Sequence, residues 1–139
     1  MEATTQPWLN NYPEGIDWNA NIERRPLYET LEHTVKRCRD TTAIDFLDHC
    51  LSYGELLEQV NRMAKGLQLM GVTQGARVGL CLPNTPYSVI CYYGALRAGA
   101  TVVNYNPLYV ERELAFQIDD SNTEIMITMD LEALYPKVA

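Results

Sequence analysis

The 139 residues predict an α/β fold, a partial doubly wound parallel sheet preceded by an irregular arm, helices and a small hairpin. Three observations carry this. After Gly75, short apolar runs alternate with segments of helical spacing, giving strand, helix, strand, helix, strand within about 50 residues. The strands read as nearly continuous apolar runs, as parallel strands do when both sheet faces are covered. Glycine and proline stand where the helices should stop and start.

Taken in order, residues 1–26 hold Trp8, Tyr12, Pro13, Gly15, Trp18 and Pro26 with little periodicity. This is an irregular arm, and its two tryptophans are expected to pack against something. From residue 27 the pattern changes. Leu27, Leu31, Val35 and Cys38 fall at helical spacing, and the helix should end near Arg39-Asp40. Thr42–Phe46 and Cys50-Leu51 suggest a small hairpin turning at Leu47-Asp48-His49.

Ser52 then stands three residues before Glu55, which is the spacing of a capping box, with Leu51 and Leu56 placed as a hydrophobic staple. Leu56, Val60, Met63, Ala64, Leu67 and Met70 form one apolar stripe, Glu58 and Arg62 are spaced to pair on the wet face, and Gly71 ends the helix.

Arg77–Leu82 reads as a buried strand closed by Pro83-Asn84. Thr85 is a candidate cap for a helix with Pro86 at its first position, running to about Ala98 and stopped by Gly99. Ala100–Val103 is a second strand, Tyr105-Asn106-Pro107 a turn, and Glu111–Asp119 a helix presenting Leu114, Ala115 and Ile118 on one face. Glu124–Thr128 is a third strand, and Leu131–Val138 the start of another helix. The crossovers should be right-handed.

Composition removes several classes of function. The net charge is −7, and the basic residues cluster only at Arg24-Arg25 and Lys36-Arg37. Neither a nucleic-acid surface nor a polybasic membrane anchor is visible. Cys38, Cys50, Cys81 and Cys91 lack the close spacing of a zinc knuckle or redox pair, and are expected to be reduced core or near-core residues. His33 and His49 are isolated, so no catalytic or metal role is assigned to them. The amino terminus lacks the basic-then-apolar pattern of a secretory signal. The most apolar run, Tyr87–Val103, is interrupted by Arg97 and two glycines. Together these point to a cytoplasmic protein.

A nucleotide site of the common kinds is not written here. No G-x-G-x-x-G follows Leu82, and no G-x-x-x-x-G-K-[S/T] occurs. Gly94 and Gly99 are expected to allow close packing and a helix stop. Asp119-Asp120 reads as a solvated helix terminus, and Asp130 follows a strand. The segment Asn104-Tyr105-Asn106-Pro107-Leu108-Tyr109 carries the most unusual chemistry. It follows a strand directly, where open α/β sheets form their ligand crevice. Its amides and phenols either hydrogen-bond a ligand or satisfy their own turn and cover the sheet edge.

Several motifs occur together and in order. These are Leu51-Ser52-Tyr53-Gly54-Glu55-Leu56, then Gly71-Val72 with Gly75 and Arg77-Val78, then Leu82-Pro83-Asn84. Gly94-Ala95-Leu96-Arg97-Ala98-Gly99-Ala100 and Val103-Asn104-Tyr105-Asn106-Pro107-Leu108-Tyr109 with Arg112-Glu113-Leu114 complete them. By these the chain resembles the N-terminal portion of the AMP-forming acyl-CoA synthetases, within the adenylate-forming ligases, and looks most like the medium- and long-chain fatty acid branch. The match covers roughly residues 27–137. Three departures stand out. Ala76 replaces the usual acidic residue, Val110 the usual Thr or Ser cap, and Asn122-Thr123 the more usual Gly-Ala.

The resemblance implies that residues 27–139 are the first part of a large N-terminal domain, truncated, in a ligase that forms an acyl-adenylate from ATP and then a CoA thioester. ATP, magnesium and CoA are implied for the full-length enzyme, with the remainder of the parent chain as partner. A fatty acid substrate and peripheral membrane contact also follow for the whole enzyme. The family's Ser/Thr/Gly-rich phosphate loop, acidic adenylate-binding segment and catalytic lysine do not occur in these 139 residues. The chain itself is therefore expected to hold no cofactor, no metal and no catalytic residue. It is also expected to associate with itself through the truncated side. By the resemblance, Asn106, Pro107 and Leu108 would line the CoA adenine, and Lys137 would approach a phosphate. The other reading is a free-standing binding or regulatory module that borrowed the fold.

Overall fold

The computed structural model describes residues 7–138. Pro7–Asn11 forms a short 3-10 turn at the start of the arm. The arm's aromatics pack on one another. Tyr12 meets Trp18 edge-on at 5.1 Å between ring centroids, and Trp8 lies 6.4 Å from Trp18. All three remain substantially exposed.

Helix α1 spans Leu27–Cys38 and buries Leu31 and Val35. Leu27, at the exposed first turn, lies outside this contact. Strands β1 (Thr42–Phe46) and β2 (His49–Ser52) pair antiparallel, with an irregularity between Thr42 and Ile44. Their connection is two residues, Leu47 and Asp48, both at positive φ. Positive φ at both central positions matches the turn twist to the strand twist. His49 therefore begins β2 instead of closing the turn.

Helix α2 (Tyr53–Leu69) opens on the capping box. Ser52 Oγ accepts from the Glu55 amide at 3.2 Å, and the Ser52 amide donates to Glu55 Oε2 at 2.8 Å. The helix buries Gly54, Leu56, Val60, Ala64 and Leu67. Met70 falls outside the stripe and is 68% exposed, because the helix ends at Leu69 and the chain turns away through the left-handed Gly71. Glu58 pairs with Arg39 at 2.8 Å, so the i,i+4 pairing with Arg62 gives way to a link between α2 and the end of α1.

Strands β3 (Arg77–Cys81), β4 (Thr101–Asn104) and β5 (Ile125–Thr128) form a parallel sheet in the order β4-β3-β5. Val78 lies opposite Val102 on one side and Ile125 on the other. The central strand β3 is the most buried, as its apolar run requires. Helix α3 (Pro86–Ala98) connects β3 to β4, and α4 (Glu111–Ser121) connects β4 back past β3 to β5. Helix α5 (Tyr135–Val138) closes the described chain.

Strand alternation divides the core between the two faces. Val78, Leu80, Val102, Ile125 and Ile127 face α2 and α3, meeting Ala64, Leu67, Cys91 and Ala95. Cys81, Val103, Tyr105 and Met126 face the other way, toward Leu114, Ile118 and Leu134. A third cluster joins α1, α2 and the first turn of α3 through Leu31, Val35, Leu56, Val60 and Ile90. On α4 the buried face is narrower than the sequence suggests. Leu114 and Ile118 pack inward, while Ala115 is exposed.

Helices α2 and α3 approach closely at Gly94, where an added Cβ would lie 2.6 Å from Met63 Cγ. Gly99 takes φ +95° and ends α3, as expected. Among the described residues no helix is long and apolar enough to cross a membrane.

Candidate functional site

The crevice follows from the topology. The chain leaves β3 toward one face of the sheet and leaves the neighbouring β4 toward the other. Between the carboxyl ends of two such strands the connections diverge, and an open cleft remains. Here the cleft has a volume of about 420 Å³. Leu80, Leu82 and Asn84 line it from β3, and Asn104, Tyr105 and Pro107 from β4. The first turns of α3 add Ser88, Val89, Tyr92 and Tyr93. Tyr92 and Tyr93 stand nearly edge to face, 5.8 Å apart.

The β4 wall is held by hydrogen bonds from α4 and from within its own loop. The Tyr105 amide donates to the Leu80 carbonyl at 2.9 Å, extending the ladder beyond β4. Gln117 Nε2 donates to the Asn104 carbonyl at 3.0 Å. Asn106 Oδ1 accepts from the Leu108 amide at 3.0 Å, and the Tyr109 amide donates to the Asn106 carbonyl at 3.0 Å. Asn106 thus makes its own turn, which is the local role asparagine favours. Its amide nitrogen has no hydrogen bond among the described residues.

Of the four residues assigned by resemblance, Pro107 lines the crevice, with Asn106 and Leu108 exposed beside it. Lys137 is half-buried on α5, where its positive charge is felt by Cys81 at the end of β3. From sequence, Asn84 is named only as a strand end within a motif, and neither it nor Ser88, Tyr92 or Tyr93 is placed in a site. The available signal was Asn84 at the carboxyl end of β3, since a crevice at a switch point needs two strand ends.

Helix starts near the site depart from expectation. Thr85 precedes α3 but makes no side-chain cap; its Oγ1 is buried without a partner. Ser88 Oγ instead donates to the Thr85 carbonyl at 2.6 Å. At α4, Val110 has no side-chain acceptor, and only the return half of a capping box survives, the Val110 amide donating to Glu113 Oε2 at 3.0 Å.

The thiols offer no nucleophile at the site. Burial pushes the Cys81 thiol up, with Lys137 partly opposing it, and burial pushes Cys91 up as well. A raised thiol stays protonated and unreactive at neutral pH. All four cysteines are free, and Cys50 is exposed, outside the core where the sequence reading put it. Among the described residues no three His, Cys, Asp or Glu side chains come together to hold a metal ion.

The family of AMP-binding enzymes matches residues 31–138. A long-chain-fatty-acid–CoA ligase from Bacillus subtilis (strain 168) is 40% identical over 132 residues, covering 95% of this chain and 23% of that protein. The ligase of the same name from Salmonella typhimurium is 37% identical over 122 residues, covering 86% of this chain and 22% of that protein. The crystal structure of the N-terminal domain of FACL13 from Mycobacterium tuberculosis overlays with a TM-score of 0.77 at 24% identity, covering 83% of this chain and 29% of that one. At that identity the overlay speaks for the fold. The chain spans less than a quarter of the length of these curated relatives. A family match across most of its residues, carried by relatives of 37–40% identity, makes this chain a member of the AMP-binding enzyme family.

Proposed function

We propose that this chain is the leading scaffold of an acid–thiol ligase, one that activates a fatty or related carboxylic acid as an acyl-adenylate and transfers it to CoA. The observation that carries the proposal is the 40% identity to a long-chain-fatty-acid–CoA ligase along 95% of the chain. In the assembled protein ATP, magnesium and CoA are the small partners. These 139 residues supply the sheet and one wall of a nucleotide crevice, and no catalytic group. Their share of the chemistry is orientation. Pro107 and Leu108 offer an apolar surface to a purine, Asn106 a free amide donor, and Lys137 a point charge for a phosphate. Four free thiols support a reducing, cytoplasmic setting.

The test has two arms. The 139-residue chain should catalyse no acid-dependent pyrophosphate–ATP exchange, since it lacks the phosphate loop and the lysine. Exchange above a blank, with longer ligase excluded, would overturn its role as scaffold. In the complete ligase, Lys137→Ala should raise KM for CoA and spare adenylate formation, because the two half-reactions use different contacts. Equal loss in both half-reactions would mark a folding defect, and loss in neither would leave Lys137 as ordinary surface.

A further inference from the structure

We infer that the Tyr105 hydroxyl, closed into a triangle with Ser121 and Thr123, is a lock that positions the Asn106–Leu108 loop at the mouth of the crevice. The inference rests on the reading of this crevice as the CoA-nucleotide wall.

The geometry is specific. Tyr105 Oη lies 2.6 Å from Thr123 Oγ1 and 2.9 Å from Ser121 Oγ, and those two hydroxyls are 2.8 Å apart. Three hydroxyls make three edges, and each O–H donates once around the ring, so every edge is satisfied. Such closed networks polarise their members and hold one arrangement. Weaker acceptors, the carbonyls of Gln117 at 3.5 Å and Ile118 at 3.4 Å, lie just outside it.

The ring of Tyr105 is held as firmly as its hydroxyl. It is buried and lies on β3 at Gly79, where an added Cβ would stand 2.8 Å from Tyr105 Cε2 and 2.9 Å from the Thr123 methyl. Only a glycine on the central strand lets the phenol reach the end of α4. The residue pinned in this way immediately precedes Asn106, and both Tyr105 and Pro107 line the crevice. Tyr105 therefore transmits the position of the α4–β5 junction to the loop.

Thr123 supplies the third vertex of the triangle. An alanine would leave Tyr105 and Ser121 without the third vertex. The neighbouring Asn122 takes φ 49° and ψ 47° as the left-handed stop of α4. Asparagine tolerates that conformation better than other non-glycine residues. Asn122 thus keeps the turn that a glycine would make, while Thr123 adds a hydroxyl that an alanine lacks.

Tyr105→Phe and Thr123→Val test it, the second keeping the methyl against Gly79. In the 139-residue chain, each should speed amide hydrogen exchange at Leu108 and Tyr109 by roughly two- to tenfold, the worth of one net hydrogen bond. Exchange along α2 should not change. The double variant should exceed neither single by more than a small factor, because one unit is broken once. Unchanged exchange at Leu108 and Tyr109, or strictly additive effects, would overturn the lock.

In the complete ligase, both variants should raise KM for CoA while acid-dependent pyrophosphate exchange stays at its parent rate. An unchanged KM would overturn the positioning role. So would loss of both half-reactions together with a lowered melting temperature. Lys137→Ala run alongside separates the two claims. If it raises KM and the Tyr105 and Thr123 variants do not, the lock fails and the crevice reading survives. If none of the three raises KM, both fail.

Discussion

Ser52 and Glu55 each give and accept a hydrogen bond at the first turn of α2. Ser52→Ala removes the acceptor for the Glu55 amide, and we expect a loss of about 1 kcal/mol. The check is a shifted denaturation midpoint at an unchanged slope. The same pair has a pH signature. Hydrogen bonds from the Ser52 amide first, and then from its hydroxyl, hold the Glu55 carboxyl below its ordinary value. A depressed folded pKa stabilises the fold above the unfolded value, about 4.3, and that contribution is lost as pH falls through the folded one. Ser52→Ala keeps the amide bond to Glu55 and removes only the hydroxyl one, so the gap in stability between parent and variant should be largest at neutral pH and shrink by the hydroxyl's smaller share below about pH 4.3. A gap constant down to pH 2.5 or so would contradict the hydroxyl's bond to the Glu55 carboxylate. Thr85 behaves differently. It stands before a helix as Ser52 does, yet its hydroxyl is buried and unpaired, while Ser88 bonds the Thr85 carbonyl. The spacing S-x-x-E names both partners of a reciprocal box. A lone Thr before proline names one partner, and the rotamer is left to the surrounding packing.

At the scale of elements, the α2–α3 contact organises one face of the sheet. Gly94 lets the backbone of α3 come against Met63 and Ala64. An alanine there would place its Cβ 2.8 Å from Met63 Cβ, an atom that cannot move without its helix. We expect Gly94→Ala to destabilise the chain by about 1 to 3 kcal/mol, despite the better helix propensity of alanine. Denaturant titration checks it, and a stabilised variant would mean that the helices separate freely. Element boundaries were legible where residues act on their own backbone. Gly71 and Gly99 end helices at positive φ, and Pro86 opens one. Partners were less legible. Glu58 is spaced for Arg62, but it meets Arg39, which only the return of α2 alongside α1 brings within reach. Arg97 likewise bonds Glu32 and lies over the Tyr28 ring, tying α3 to α1.

At the scale of the molecule, the sheet has two open edges, β4 and β5. Strand β5, Ile125-Met126-Ile127-Thr128, carries no charge, proline or bulge of the kind that protects an edge. We expect the 139-residue chain to form dimers through it. Antiparallel self-pairing centred on Ile127 would set Glu124 of one copy against Asp130 of the other. These acids repel, so association should strengthen as salt screens them. Sedimentation velocity across a salt series checks this. A monomer at every salt and protein concentration would rule out the edge contact.

The alternation of apolar runs and helical spacing was enough to name the α/β class and the order of its elements, because period and punctuation act over a few residues. The same local signals identified the Ser52 box and the loop after β4 as a place of unusual chemistry. The strand order β4-β3-β5 was decided only by tertiary structure, because it depends on α4 carrying the chain back past β3. The crevice follows from that order, and so do its unforeseen walls, Asn84, Ser88, Tyr92 and Tyr93. The hydroxyl triangle is the clearest case. Tyr105, Ser121 and Thr123 are separated by up to 18 residues along the chain, and none signals the others. They meet because Gly79, on a third element, leaves room for the ring.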